Sequence, residues 1–314
     1  MSVSIIKSGI LTTFQDTGRN GFRRLGINPG GAMDRLAARL INIVVGNDEA
    51  EAVLEMHFPA PVLEFEEDAL VALGGADFSA RLGDEPVENW RPVSASKGDR
   101  LSFAGRKSGA RIYLAARGGF RTEKWLASAG TNLRAGFGKA LKQGDSFFFK
   151  QWTKDKRRRT NFKISHSLIP RYSNFPTVRV TEGAEFDALT ALSAETFLKS
   201  SFAVTPESDR MGFRLKGEPL YLLEDARLVS SAVNFGTIQL LPGGQMIILM
   251  ADHQTTGGYP RLAHIAEIDL PLVAQLNASD KIYFKPISLP EAENLIVQRE
   301  KDLNLLKTAL KLIN

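Results

Sequence analysis

Apolar residues in this chain come mostly in runs too short for anything but strands. Each run is closed by Gly, Pro or Asp: Leu70 to Leu73, Leu101 to Phe103, Ile112 to Ala115, Phe147 to Phe149, Thr177 to Val180, Met246 to Met250 and Ile282 to Phe284. Short apolar runs between turn signals are the pattern of barrels and sandwiches. One local device occurs three times, at Ser96 to Phe103, Lys142 to Phe149 and Asn277 to Phe284, where a small residue and an aspartate make a turn before alternating apolar positions begin. Its repetition on both sides of the chain's midpoint predicts that the two halves are built from similar β units.

Helices are fewer. From Met33, Leu36, Ala37, Leu40, Ile41, Val44 and Val45 fall at helical spacing, and Gly46 stands where a left-handed cap would end the helix. A second helix is predicted over Asp269 to Leu276, with Asp269 as cap and Pro271 in the first turn. Ser288 and Glu291 have capping-box spacing for a carboxy-terminal helix whose stripe of Leu295, Ile296, Leu303, Leu306 and Leu310 is expected to pack on the second half.

At 314 residues the chain exceeds the size at which one core usually stops growing. Its formal charge of +5 resides entirely in Lys154, Lys156, Arg157, Arg158, Arg159 and Lys163 against Asp155. Such a block reads as a solvated linker, and no stacking motif or recognition helix accompanies it to suggest nucleic acid. The expected organisation is an amino-terminal domain over 1–153, a basic linker over 154–176, a second domain over 177–287 and a terminal helix over 288–314. The absence of cysteine excludes disulfides and thiolate chemistry, leaving oxygen and nitrogen groups for any catalysis. No apolar run reaches the ~18 residues of a membrane span, and Met1 to Thr13 lacks signal-peptide features, so a cytoplasmic protein is expected.

The standard motifs are missing: no phosphate loop, dinucleotide fingerprint, HExxH or nucleophile elbow occurs, and His57, His166, His253 and His264 show no close metal-ligand pairing. Three segments are nonetheless rich in glycine and polar groups. The first runs from Leu11 through Asp16, Gly18 and Arg19 to Gly30, Gly31 and Asp34. Its glycines suit an anion near a helix start, while Asp16 and Arg19 would equally serve as a mutual ion pair or turn cap. The second, Ser208-Asp209-Arg210-Met211-Gly212, presents a guanidinium fork beside a turn, suited either to a carboxylate or phosphate or to a surface ion pair. The third joins Gly236-Thr237-Ile238-Gln239 with Asp252-His253-Gln254-Thr255-Thr256-Gly257-Gly258-Tyr259-Pro260. It places an acid, an imidazole, amides, hydroxyls and an aromatic directly after an apolar strand, where burial is costly without a network or ligand.

In this order the segments, with Val45-Gly46-Asn47-Asp48 and Leu54-Glu55, resemble the allophanate hydrolase subunit 2-like family, over roughly residues 5 to 285. That family includes the C-type subunit of ATP-dependent 5-oxoprolinase, the antagonist of a sporulation-kinase inhibitor, and part of the carboxyltransferase region of urea amidolyase. The resemblance implies a mainly β chain of two cyclophilin-like β-barrel domains with a few short helices. It implies a hydrolase component that opens the lactam of 5-oxoproline to glutamate with ATP, in a complex with a subunit 1/B-type protein and a LamB/YcsF-type subunit. The ATP site would be shared with or located in a partner. Alternatives within the resemblance are a carboxyltransferase component, taking a carboxyl group from carboxybiotin on a partner to urea or another small amide, and a non-enzymatic regulator binding a kinase-inhibitor partner.

On that basis Asp252, His253, Gln254 and Thr255 are the expected catalytic group. Asp252 would act as base or orient His253, and Gln254 and Thr255 would bond the amide or a developing oxyanion. Asp16, Arg19, Asp34, Ser208, Asp209, Arg210, Gln239, Gly257, Gly258 and Tyr259 are the expected substrate-binding residues, and no metal is expected. The chain departs from the family pattern where His253 replaces an expected arginine and Phe235 a frequent proline. Ser128-Ala129-Gly130-Thr131-Asn132 is a loose version of a Gly-Ser-Arg-Ser-Thr stretch.

Overall fold

The structure, a computed structural model, describes residues 2–150, 162–224 and 228–313. Most of the basic run, 154–161, lies outside the described residues. The chain divides into two compact units. The first comprises Met1–Gly18, Asp34–Arg171 and Glu300–Asn314, and the second Arg19–Met33 and Tyr172–Arg299. The mainly β expectation holds: each of the short apolar runs is, or falls largely within, a strand.

In the first unit a six-stranded sheet runs in the order Ser146–Phe148, Ser2–Lys7, Val62–Phe65, Arg100–Phe103, Ala80–Leu82, Glu85–Pro86. A five-stranded sheet runs Thr12–Gln15, Val53–His57, Ser108–Ala116, Ala69–Asp77, Pro92–Ala95. Val3, Ile5, Leu63 and Phe65 from the one and Leu54, Met56, Ile112 and Leu114 from the other share a single core. Helix α1, Arg35–Val45, packs on strands Ala69–Asp77 and Ser108–Ala116. Asp34 Oδ1 caps it by accepting from Ala37 N at 2.9 Å, and Gly46 ends it at φ 77°. Gly74 permits the close approach, since a methyl there would come within 2.4 Å of Ile41 Cγ2. Arg39 of α1 pairs with Glu300 at 2.7 Å, and Lys307 with Glu49 at 2.9 Å, so the carboxy-terminal part of the chain packs in this unit rather than on the second half as expected.

The second unit is a closed barrel in the order Thr177–Glu182, Arg261–Ile265, Thr237–Leu240, Met246–Leu249, Gly212–Lys216, Phe202–Val204, Lys281–Pro286, closed by parallel pairing of the last with the first. Its core includes Val178, Phe197, Phe213, Ile238, Ile248 and Phe284, with Phe197 and Phe284 stacked at 4.7 Å. Helix α2 spans Ala191–Lys199 and α3 Leu270–Ala274. The predicted cap of α3 fails: Asp269 makes no side-chain cap bond and instead receives Arg179 N at 2.7 Å and Arg179 Nε at 2.8 Å. A carboxylate in reach of a guanidinium gains charge-assisted bonds worth more than a neutral cap. Helix α4, Leu289–Ile313, starts with the expected capping box, Ser288 N to Glu291 Oε2 at 3.1 Å and Glu291 N to Ser288 Oγ at 3.4 Å.

Candidate functional site

Two turns of the barrel run side by side in the second unit because backbone bonds tie them: Met250 N to Met211 O at 3.0 Å and Asp252 N to Arg210 O at 2.8 Å. This places Arg210 against Asp252. Arg210 Nε donates to Asp252 Oδ2 at 2.9 Å and Nη2 to Oδ1 at 3.1 Å, and Nη2 also reaches Gly31 O at 2.6 Å. Asn28 Nδ2, a contact the sequence did not suggest, holds the Asp252 carbonyl at 2.8 Å. A methyl on Gly30 would lie 3.4 Å from both Arg19 Nη1 and Asp252 Oδ1, so Arg19 and Asp252 flank that glycine. Arg19 is 1% exposed and Asp252 6%. Both Asp252 oxygens thus receive N–H groups from Arg210, and the Arg210 fork is engaged with a carboxylate of the protein itself.

Of the other expected catalytic residues, His253 is buried. Its Nδ1 lies against the Gln254 carbonyl, which only accepts, so Nδ1 carries the proton. Thr255 offers its carbonyl to Val233 N at 3.2 Å. Ser208 and Asp209 close their own turn: Ser208 Oγ accepts from Arg214 N at 3.0 Å and Asp209 Oδ1 from Met211 N at 2.8 Å. Tyr259 is exposed, and Gly257 pairs with Ser231 in a small two-stranded ladder.

The most informative of the expected binding residues is Gln239. It is fully buried on strand Thr237–Leu240, its Nε2 donates to Tyr259 O at 3.2 Å, and its Oε1 has no hydrogen-bond partner. A buried carbonyl left unmatched costs about 1–3 kcal/mol, so such atoms mark places where a donor belongs. Gly257 lies close against it: a methyl there would come within 2.8 Å of Gln239 Nε2, too near to fit, and 3.4 Å of both Gln239 Oε1 and Gln254 Nε2. An acceptor, Gln239 Oε1, and a donor, Gln254 Nε2, therefore lie on the same side of Gly257. That pair complements a group with N–H and C=O on the same side, as in a lactam or a ureido group.

Gly258 belongs to the second unit, and the remaining expected residues, Asp16 and Asp34, to the first. Asp16 accepts from Gly18 N at 2.8 Å, Ser128 Oγ at 2.6 Å and Ala129 N at 2.7 Å, so its carboxylate organises the 128–130 turn. Asp34 caps α1, and its N–H donates to Tyr113 Oη at 2.8 Å. Tyr113 Oη in turn donates to Glu55 Oε2 at 2.9 Å. Burial, reinforced by Glu55 and Asp34, pushes the Tyr113 hydroxyl well above the ordinary tyrosine value, which keeps it a donor.

A closed seven-stranded barrel and a two-sheet unit define a mainly β protein of two compact units. The carboxyltransferase domain family, subdomains A and B, matches residues 25–286, and the chain belongs to that family. It is 38% identical to the C-type subunit of 5-oxoprolinase from Escherichia coli, over 92% of this chain and 93% of that one. It is 36% identical to the same subunit of Haemophilus influenzae 5-oxoprolinase, over 90% of each. The crystal structure of the K. lactis urea amidolyase superposes with a TM-score of 0.89 at 28% identity, covering 97% of this chain and 20% of that one. This chain thus spans one fifth of the urea amidolyase it matches. Among the described residues no helix is long and apolar enough to cross a membrane.

Proposed function

We propose that this chain is the C-type subunit of an ATP-dependent 5-oxoprolinase, acting in a cytoplasmic complex with a subunit 1/B-type and a LamB/YcsF-type partner. The observation that carries the reading is the buried, unmatched Gln239 Oε1, with Gln254 Nε2 on the same side of Gly257. A lactam sets its N–H and carbonyl on the same side, so Gln239 accepts the ring N–H and Gln254 donates to the carbonyl oxygen. The same donor serves the oxyanion that develops as the ring opens. The Arg210–Asp252 pair braces the turn that carries Gln254. Likeness to two proteins named as this 5-oxoprolinase component, over nearly the whole chain, supports the choice of substrate.

ATP fits better in a partner or at a shared surface. The cation best placed at this site, Arg210, is already balanced by Asp252 at 2.9 Å, which leaves little attraction for a polyphosphate.

A second reading follows from the same geometry, since urea and the ureido ring of biotin also present N–H beside C=O. Carboxyl transfer from carboxybiotin on a partner to urea is therefore the competing activity, and the likeness to urea amidolyase favours it. The two are separated by co-expressing the chain with its partner subunits and following ATP hydrolysis and glutamate release. 5-Oxoproline-dependent turnover is the expected result. Turnover with urea and a biotinylated carrier, and none with 5-oxoproline, overturns it.

A further inference from the structure

Where α1 ends against the last described turns of α4, the first unit holds a cavity of about 470 Å³. That volume lies in the range of small-ligand sites, roughly 300–1,000 Å³. The apolar part of its lining is Ile43 and Leu310, both buried. Its polar walls are held by bonds within the fold. Asn47 Nδ2 donates to Asn42 Oδ1 at 3.0 Å and to Ala116 O at 2.8 Å, and its Oδ1 accepts from Gly118 N at 2.8 Å. Glu49 accepts from Arg39 Nη2 at 2.9 Å and pairs with Lys307 at 2.9 Å, which ties α1 to α4 beside the cavity. Two charges of the lining stay outside this network. Asp48 is exposed, its carboxylate accepts from Ala50 N at 2.8 Å, and it forms no ion pair among the described residues. Lys311 is exposed on the same cavity, and its ammonium has no partner among the described residues. Opposite charges that line one cavity without meeting each other suit a molecule that carries both.

We propose that this cavity binds a small zwitterion, an amino acid with one ammonium, one carboxylate and an apolar stem. Asp48 takes the ammonium, Lys311 takes the carboxylate, and Ile43 and Leu310 receive the stem. A purely anionic ligand would meet Asp48 and Glu49, and a purely cationic one Lys307 and Lys311. Two acids and two lysines in one lining therefore select a ligand without net charge. The site uses no residue placed at the lactam, and the 5-oxoproline reading does not depend on it.

The test is a titration of the full-length, isotopically labelled chain with two isomers, L-norleucine and 6-aminohexanoate, followed by NMR at the backbone amides of Gly46, Asn47, Asp48 and Lys311. The isomers carry the same two charges at different separations. Hexanoate and hexylamine, each lacking one of the charges, are the controls. Saturable shifts at those amides are expected with at least one isomer, at about millimolar concentration, as contacts between exposed charges give. Each control is expected to bind about three- to tenfold more weakly than the better isomer. Asp48→Asn, which keeps the acceptor for Ala50 N, and Lys311→Met, which keeps the length of the stem, should each weaken binding by about the same factor. Both positions are exposed, and the native spectrum of each variant is checked first. No saturable shift with either isomer, a control that binds as well as the better isomer, or unchanged binding in either natively folded variant overturns the proposal.

Discussion

Arg210 turns one edge of its guanidinium to Asp252, with Nε 2.9 Å from Oδ2 and Nη2 3.1 Å from Oδ1. The two side chains are only 12% and 9% exposed, so the pair is held largely out of water. Removing one partner strands the other charge, which in buried pairs costs about 3–5 kcal/mol, against under about 1 kcal/mol for surface pairs. Asp252→Ala is expected to lower the unfolding free energy in urea by about 3 kcal/mol. Adding Arg210→Met should recover part of that loss, because no charge is then stranded. A single-variant loss below about 1 kcal/mol would place the pair among ordinary surface contacts.

Gln239 is expected to behave in the opposite way. Gln239→Met removes a carbonyl that has no partner in the fold and, in the opposite sense, the Nε2 bond to Tyr259 O, so the net change in stability should be less than about 1 kcal/mol. In the assembled complex the lactam N–H would lose its acceptor, and kcat/KM for 5-oxoproline should fall about 10- to 100-fold. Steady-state kinetics beside urea denaturation separates the two effects. A variant as active as the parent would remove Gln239 from the substrate site.

Sequence is legible where neighbouring residues decide the outcome. The caps of α1 and the capping box of α4 lie within one turn of the helices they serve. Asp269 escapes the local rule because its partner, Arg179, lies 90 residues away, and no local pattern announces it. The Arg210 to Asp252 contact spans 42 residues, so the two stand as separate candidates in the sequence and only the barrel pairs them. Strand Val53–His57 hides the most. Glu55 alternates with core residues as a solvent-facing position would, yet it is fully buried and bonded to Tyr113. Alternation reports which face a residue takes, and is silent on whether something else covers that face.

The threefold turn supplies a prediction from repetition. In each copy the first residue's N–H donates to the aspartate carboxylate three positions on: Ser96 to Asp99 at 2.7 Å, Lys142 to Asp145 at 2.8 Å, Asn277 to Asp280 at 2.8 Å. The residue before each aspartate is left-handed, and in two copies it is glycine, Gly98 at φ 89° and Gly144 at φ 87°. In the third it is Ser279 at φ 74°. A left-handed non-glycine residue costs about 1–2 kcal/mol, of which part is returned because glycine has more freedom to lose on folding. Ser279→Gly should therefore raise stability in urea by about 0.5–1 kcal/mol, and a loss would mean that the Ser279 side chain holds the turn in some other way.

His264 is the group through which acid should weaken the barrel. It is half-buried, and its Nδ1 lies 3.1 Å from Thr237 Oγ1, which also accepts from Asn234 N at 3.0 Å. Burial, and then the charge of Arg261, push its pKa below the ordinary histidine value. The folded chain thus binds this proton less readily than the unfolded chain. The stability contributed by the neutral ring is complete above pH ~6.5 and declines as pH falls from there towards the folded value. Glu185, held below the usual carboxylate range mainly by its hydrogen bond from Arg261, acts in the same direction, but its loss begins only near pH ~4. Between pH 7.5 and 5.5 the urea midpoint should drop in the parent and drop less in His264→Gln, whose amide keeps an acceptor for Thr237. Equal drops in the two proteins would assign the acid sensitivity to other histidines.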